Sequence, residues 1–449
     1  MVIKNRDELG FTPLRRFALD ICEAGIRATL PAAVLPTVVN YDTNSQTLSI
    51  TGQAHHISGR VFVVGGGKAS GAMAETLENL LPESRIADGV VACKGGTYRT
   101  RKIRIVTAGH PIPDVRGVHA TADIRALKDR YQVGTGDTVI CLLSGGGSAL
   151  LPAPAEGISL ADKQLLTELL LASGAEIKEI NLIRKHLSQV KGGKLGHHFA
   201  PAQVITLIIS DVIGNDLSAI ASGPTYPDQT TFADALVVLE KYHLTDKIPS
   251  NVIAHLRSGA AGKMPETPKR LDNCHNYIIA DGRLALEAMR QKAGELGFVP
   301  RIITATQKGE TATVARQRAS EIIEGKYGRD DVLLLGGETA PVLPEEHGTG
   351  GRNQHFVGVS MCELKGFKGQ WVVASLGSDG SDYLPDVAGA IADGTSWQTA
   401  NESKLDTKSY LKRYGSHTLL KSIGRCLVIT GETGTNVGDV ALYILKRQA

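Results

Sequence analysis

The chain has 449 residues, enough for two or three domains. Apolar residues make up 42% and charged residues 21%, which excludes disorder as the main state. The 49 basic and 46 acidic side chains leave a net charge of +3, too balanced for a protein that holds nucleic acid or a membrane surface by bulk charge. Glycine is the outlier: 50 residues, clustered after apolar runs rather than periodic. Such clusters mark tight loops where the backbone approaches something closely. No two of the six cysteines form a CxxC pair, so a zinc or redox motif has no support, and small buried thiols in a reducing compartment are expected. No apolar run is long enough to span a membrane. Arg15-Arg16-Phe17 is followed at once by Asp20 and Glu23 without an apolar core, so export is not expected and the cytoplasm is.

In chain order, Leu14 to Leu30 reads as an amphipathic helix ended by Pro31. Val61 to Val64 reads as a strand stopped by Gly65-Gly66-Gly67, with a helix over 69–80. Strands follow at 102–106, at 139–143 before Ser144-Gly145-Gly146-Gly147-Ser148, and at 204–209 before Ser210-Asp211. Ser159-x-x-Asp162 opens a helix over 159–172. The polar stretch 258–276 is the candidate linker. Beyond it come strand 277–280, helix 283–296, strand 301–304, helix 311–324 and strand 332–335 before Gly336-Gly337-Glu338. Strands 371–376 and 427–430 enter further glycine loops. This is an α/β pattern whose fully apolar strands suit a parallel sheet. The expected domains are 1–257 and 258–449.

Ligands of open α/β sheets sit beyond the carboxyl ends of the strands. Lys68, the loop Ser144 to Ser148, and Asp211 fall there in the first half. Glu338, Asp379, Asp382 and Asp386 fall there in the second, with Arg352-Asn353-Gln354 after the glycine-rich 348–351. Glycine loops that feed helices expose N–H groups to anions, Lys68 and Arg352 add positive charge, and the carboxylates suit Mg²⁺. Together they are what phosphoryl transfer requires. Gly65 to Gly67 equally admits a plain tight turn. Neither a P-loop nor a GxGxxG is satisfied, and Leu150 breaks a Gly-x-Ser-x-Gly around Ser148. The basic run 181–188, with Lys191-Gly192-Gly193-Lys194, reads in isolation as a solvated face. His110, His197 and His198 have no spacing partner for a metal.

The order of these segments is more specific than any one of them. Gly66-Gly67-Lys68-Ala69, Gly109-His110-Pro111-x-Pro113-Asp114, Leu143 to Leu151, Asn181 to Ser188, Ser210-Asp211-Val212-Ile213-Gly214 and Ala221-Ser222-Gly223-Pro224-Thr225 resemble the class II glycerate kinases. So do Gly336-Gly337-Glu338-Thr339, Gly350-Gly351-Arg352-Asn353-Gln354, Asp379-Gly380-Ser381-Asp382 and Thr433 to Asp439, in a C-terminal part that looks like the MOFRL domain. The resemblance implies a Rossmann-like α/β/α first domain with a mostly parallel sheet, a second α/β domain with a mixed sheet, and an active site in the cleft between them. It implies an ATP- and Mg²⁺-dependent glycerate 2-kinase making 2-phosphoglycerate from D-glycerate, with Lys68, Asp211 and Arg352 at positions regarded as catalytic. The sequence departs from the family pattern at Tyr383, Glu432 and His355; the first two, in strand-end loops, bear on which hydroxy acid is taken, so a C4 hydroxy-acid kinase stays open. So do an NAD(P)H-dependent hydroxypyruvate reductase and a sugar-acid binding protein.

On this reading Gly66, Gly67, Ser144, Gly145, Gly146, Gly147 and Ser148 hold anionic groups, and Asp211 serves the attacking 2-hydroxyl. Lys68 and Arg352 stabilise the moving phosphoryl group. Arg184 and Lys185 take the substrate carboxylate, Glu338 and Asn353 line the site, and Asp379 and Asp386 are the candidate metal ligands. The expected partner is a small molecule, with no nucleic acid or membrane and a homodimer as the oligomer to test.

Overall fold

A computed structural model describes residues 1–447. Three short strands, β1 (Val39–Asp42), β2 (Thr47–Ile50) and β3 (Gln53–His56), form an antiparallel sheet of their own. A six-stranded sheet follows from β4 (Val61–Gly66), β5 (Ile86–Cys93), β6 (Ile103–Thr107), β7 (Thr138–Ser144), β8 (Gln203–Ile209) and β9 (Cys274–Ala280). Its order is β6-β5-β4-β7-β8-β9, and every pairing from β6 through β8 is parallel. Counted from β4, that order is 3-2-1-4-5-6, the order of doubly wound sheets, whose ligand crevice opens where the winding reverses, between β4 and β7. β4 and β7 are buried along their whole length, as strands covered on both faces must be. Phe62 and Val64 pack with Ala120, Ile124 and Leu127 of helix Val115–Tyr131. Each such side chain contributes roughly 1.5–3 kcal/mol of burial.

The second six-stranded sheet holds β10 (Pro300–Gln307), β11 (Val332–Gly337), β12 (Gly369–Gly377), β13 (Gly389–Asp393), β14 (Leu427–Val428) and β15 (Asp439–Arg447). The order is β10-β11-β15-β12-β13-β14, with β10 and β11 parallel and the other pairings antiparallel. The α/β class, with one mostly parallel and one mixed six-stranded sheet, is therefore as expected. β15 lay outside the predicted strands, yet it is central and buried from Asp439 to Leu445.

Contacts divide the chain into residues 34–279 and residues 1–33 with 280–449. This differs from the expected single cut at 257/258 in two places. Thr12 caps helix Pro13–Ala28, which packs on helix Gly282–Glu295. Gly25 makes that approach close: a Cβ there would lie 2.6 Å from Met289 Cγ. Arg15, the residue weighed for export, is 1% exposed and ion-paired to Asp393 at 2.8 Å. Pro31 does not only end a helix; it begins the next, Pro31–Val38. The stretch read as a linker stays within the 34–279 unit: it follows helix Ser250–Ala260 and leads into β9, with Val204 N–H donating to Asn273 O at 2.7 Å. All six cysteines are free thiols. No helix among the described residues is long and apolar enough to cross a membrane.

Candidate active site

In the 34–279 unit the expected residues gather where the winding reverses. Gly66 pairs with Leu143, and Ser144 pairs with Ile209, so Lys68, the loop after Ser144, and Asp211 leave neighbouring strands at one edge. Lys68 N–H donates to Gly145 O at 2.9 Å, and Ala69 N–H to Ser144 Oγ at 2.9 Å. The glycines here are needed by the chain itself. A Cβ on Gly65 would sit 2.1 Å from Leu142 O, and one on Gly67 2.7 Å from the Ser144 backbone. Gly146 has φ +80, and a Cβ there would lie 2.8 Å from the His110 ring and 3.3 Å from Lys68 Cγ. His110, set aside on sequence grounds, therefore flanks the loop together with Lys68.

The far end of the loop is tied into a polar network. Lys191 Nζ donates to Ser148 O (2.7 Å) and Oγ (3.0 Å), and Ser148 Oγ meets Ser222 Oγ at 2.9 Å. Ser222 Oγ donates to Asn181 Oδ1 at 3.2 Å, which also faces Arg184 Nη1 at 3.5 Å. Ala221 and Ser222 are buried with φ of +50 and +62, a left-handed conformation that stores strain at non-glycine residues. Arg184 thus joins the loop network. Lys185 does not: it is buried and ion-paired to Asp228 at 3.2 Å, which spends its charge inside the protein rather than on a ligand. Helices Leu160–Ala172 and Ile177–His186 pack together, and with the loop 191–194 they collect Lys163, Arg184, Lys191 and Lys194. Burial pushes the Lys163 ammonium down to about 7, with Arg184 and Lys194 adding repulsion, and Lys194 down to about 8. Burial likewise pushes Lys191 down, reinforced by Arg184 and Lys163. Nothing in the sequence marks Lys163, since its helix opens on a capping box but carries no ligand-binding motif.

In the other unit the focus is Arg352. Its guanidinium grips Asp439 with two bonds, Nε to Oδ2 at 2.6 Å and Nη2 to Oδ1 at 3.0 Å, and Nη1 lies 2.7 Å from Glu338 Oε1. Burial opposes its charge, but Asp439 and Glu338 outweigh that and raise its pKa. Asn353 is buried; its Nδ2 donates to Asp439 Oδ1 (2.9 Å) and its Oδ1 accepts from Ser375 Oγ (2.5 Å). The glycine-led start of helix Arg352–Glu363 is not an open anion cradle. Its first N–H groups, on Asn353 and Gln354, already donate to Asp382 at 3.0 and 2.8 Å. Burial raises the Asp382 pKa to about 6, against those same N–H groups, which lower it. A shallow cleft is lined by Gln307, Gly337, Glu338, Asn353, Ser375 and Asp439 among others. Asp379 Oδ1 accepts from Ser381 N–H at 2.9 Å, Asp386 is exposed, and no group of three or more His, Cys, Asp or Glu among the described residues is placed to hold a metal. Asp379 and Asp386 therefore do not form an all-protein cation cage.

Residues 17–257 match a model described as a domain of unknown function, DUF4147, and residues 331–439 match the MOFRL family. Over 440 residues the chain is 38% identical to a glycerate 2-kinase of Pyrococcus horikoshii, covering 95% of this chain and 98% of that one. A crystal structure of a glycerate kinase from Thermotoga maritima matches with a TM-score of 0.83 at 36% identity, over 97% of this chain and 100% of that one. The chain belongs to the class II glycerate kinase family. A similar chain from Agrobacterium vitis, 39% identical over 399 residues and covering 86% of this chain and 100% of that one, carries a provisional name as a hydroxypyruvate reductase. The strand order of this class II glycerate kinase places Lys68 at the crevice and Asp211 one strand away, whereas Arg352 is aimed by Asp439, which in the sequence stands out only as the end of the run Thr433 to Asp439.

Proposed function

We propose that this protein transfers the terminal phosphoryl group of ATP to the 2-hydroxyl of D-glycerate, and that Lys68, Asp211 and Arg352 serve one reaction. The observation that carries this reading is the convergence of Lys68, His110 and Gly145-Gly146 at the winding reversal of a parallel sheet, one strand from Asp211. A carboxylate oxygen of Asp211 orients the 2-hydroxyl and accepts its proton late in transfer, as suits a weakly acidic alcohol. Lys68 Nζ and the Arg352 guanidinium offset charge on the migrating group. The N–H groups of the 144–148 loop steady anionic oxygens, and Arg184 faces the substrate carboxylate.

Mg²⁺ that arrives with ATP keeps waters and phosphate oxygens and needs only one or two protein carboxylates, to neutralise phosphate charge. Glu338 at the end of β11, with its side chain 46% exposed, and half-buried Asp379 beyond β12 fit that modest demand. We place the protein in the cytoplasm, in keeping with its six free thiols. The test is ADP release against a panel of C3 and C4 hydroxy acids, with phosphorus NMR of the product. Lys68→Ala, Asp211→Ala and Arg352→Ala should each lower kcat by about 10²-fold or more. Near wild-type turnover in any of them removes that residue from its role. Loss of NADH absorbance with hydroxypyruvate and no ATP would instead support the reductase, which the missing GxGxxG disfavours.

A further inference from the structure

Lys163 is placed where a lysine gains nothing from the protein. It is 9% exposed, and its Nζ has no hydrogen-bond partner. It stands in the first turn of helix Leu160–Ala172, at the positive end of the helix dipole. That helix packs on the one bearing Arg184, and the charges that act on Lys163, those of Arg184 and Lys194, are also positive. The other members of the cluster are satisfied differently. Lys191 donates to Ser148, Lys194 Nζ donates to the carbonyls of Lys185 (3.1 Å) and Ser188 (2.7 Å), and Lys185 has Asp228. A buried polar group without a partner needs a reason, and an unpaired buried cation most of all. One anion would offset burial, dipole and repulsion together.

We propose that Lys163 and Arg184, with Lys191 behind Ser148, form the seat of the substrate carboxylate, and that Lys163 sets the preference for an acid over its neutral analogues; this rests on the kinase reading above. The loop orders the two ends of the substrate. Lys68 and His110 flank Gly145-Gly146, while Lys191 and the Ser222–Asn181–Arg184 chain hold Ser148 two residues further on. In a 2-hydroxy acid the carboxylate and the reacting hydroxyl are on adjacent carbons. Their two sites must therefore be close neighbours, as the two ends of a five-residue loop are. The start of the Lys163 helix is pinned to the same region, since Gln164 Nε2 donates to Pro113 O at 2.8 Å, three residues from His110. The low affinity of Lys163 for its proton is that of a lysine waiting for an anion.

The experiment uses the full chain and compares wild type with Lys163→Met and Lys163→Arg. Calorimetric binding of D-glycerate should weaken by roughly tenfold or more in Lys163→Met and recover in part in Lys163→Arg, as for loss of a charge-assisted contact. The KM for ATP should move less than twofold. The preference of wild type for glycerate over glyceramide should narrow by a similar factor in Lys163→Met. A folded Lys163→Met that binds glycerate within twofold of wild type, with the acid-to-amide preference intact, overturns the proposal. If wild type neither binds nor phosphorylates any hydroxy acid of the panel, the kinase reading itself fails. The cluster is then probed with inorganic phosphate: equal affinity in wild type and Lys163→Met overturns the seat, and weaker binding in the variant upholds it as an anion site.

Discussion

Asp439→Asn is the sharpest probe of how Arg352 is aimed. The carboxylate takes three donors: Arg352 Nε on Oδ2, and Arg352 Nη2 together with Asn353 Nδ2 on Oδ1. An amide keeps the shape but offers one oxygen. Turned one way it sets its NH₂ against Nε; turned the other it opposes both remaining donors. A buried donor left unmet costs roughly 1–3 kcal/mol, and breaking a sealed ion pair roughly 3–5. The Arg352 side chain is 30% exposed and keeps Glu338, so water and that carboxylate recover part of the loss. A loss near 2 kcal/mol is therefore expected, equivalent to a Tm lower by roughly 4–8 °C for a unit of this size. Thermal unfolding by circular dichroism measures it. ADP release on the same samples should show kcat down by roughly tenfold or more, because the guanidinium is no longer held in one orientation. A Tm within 1 °C of wild type together with unchanged kcat would refute the assignment of Asp439 as the residue that positions Arg352.

Gly65→Ala separates the two readings of the glycine run: the new Cβ would meet Leu142 O at 2.1 Å with φ at +143, forcing β4 away from β7. A loss of roughly 3 kcal/mol or more, seen as insolubility or a much lower urea midpoint, is expected, while a stable protein with only weaker ATP affinity would show that this glycine exists for the ligand. Lys163 makes a pH prediction. Its folded pKa of about 7 lies below the ordinary value of 10.5, so between those limits the unfolded chain binds more protons and wild-type stability gains from rising pH. Lys163→Met should be the more stable protein at pH 7, with the difference closing toward pH 10; parallel Tm curves across that range would contradict the buried, charged-when-acid lysine.

Some of this was legible in the residues alone. Val61 to Val64 and Val139 to Leu143 are apolar on both alternating faces, so strands covered on both sides followed from local chemistry, and glycines after them marked the loop ends. Ser159 and Asp162 form the capping box their spacing announced. The order of the motifs carried the family. Three-dimensional packing decided the rest. Residues 13–28 cross to the far half of the chain because an apolar stripe finds its partner in helix 282–295, which no local pattern encodes. The glycine-led helix start at 352 looked like an anion site until Asp382, thirty residues later, arrived to occupy it. Asp439 acquires its role only because β15 inserts antiparallel between β11 and β12, setting its first residue against Arg352. Sequence, then, determined the elements, the loop chemistry and the family, since these depend on neighbours along the chain. Which cations are spent on internal carboxylates, as Lys185 is, and which remain without a partner, as Lys163 does, depends on neighbours in space and was settled by the tertiary structure.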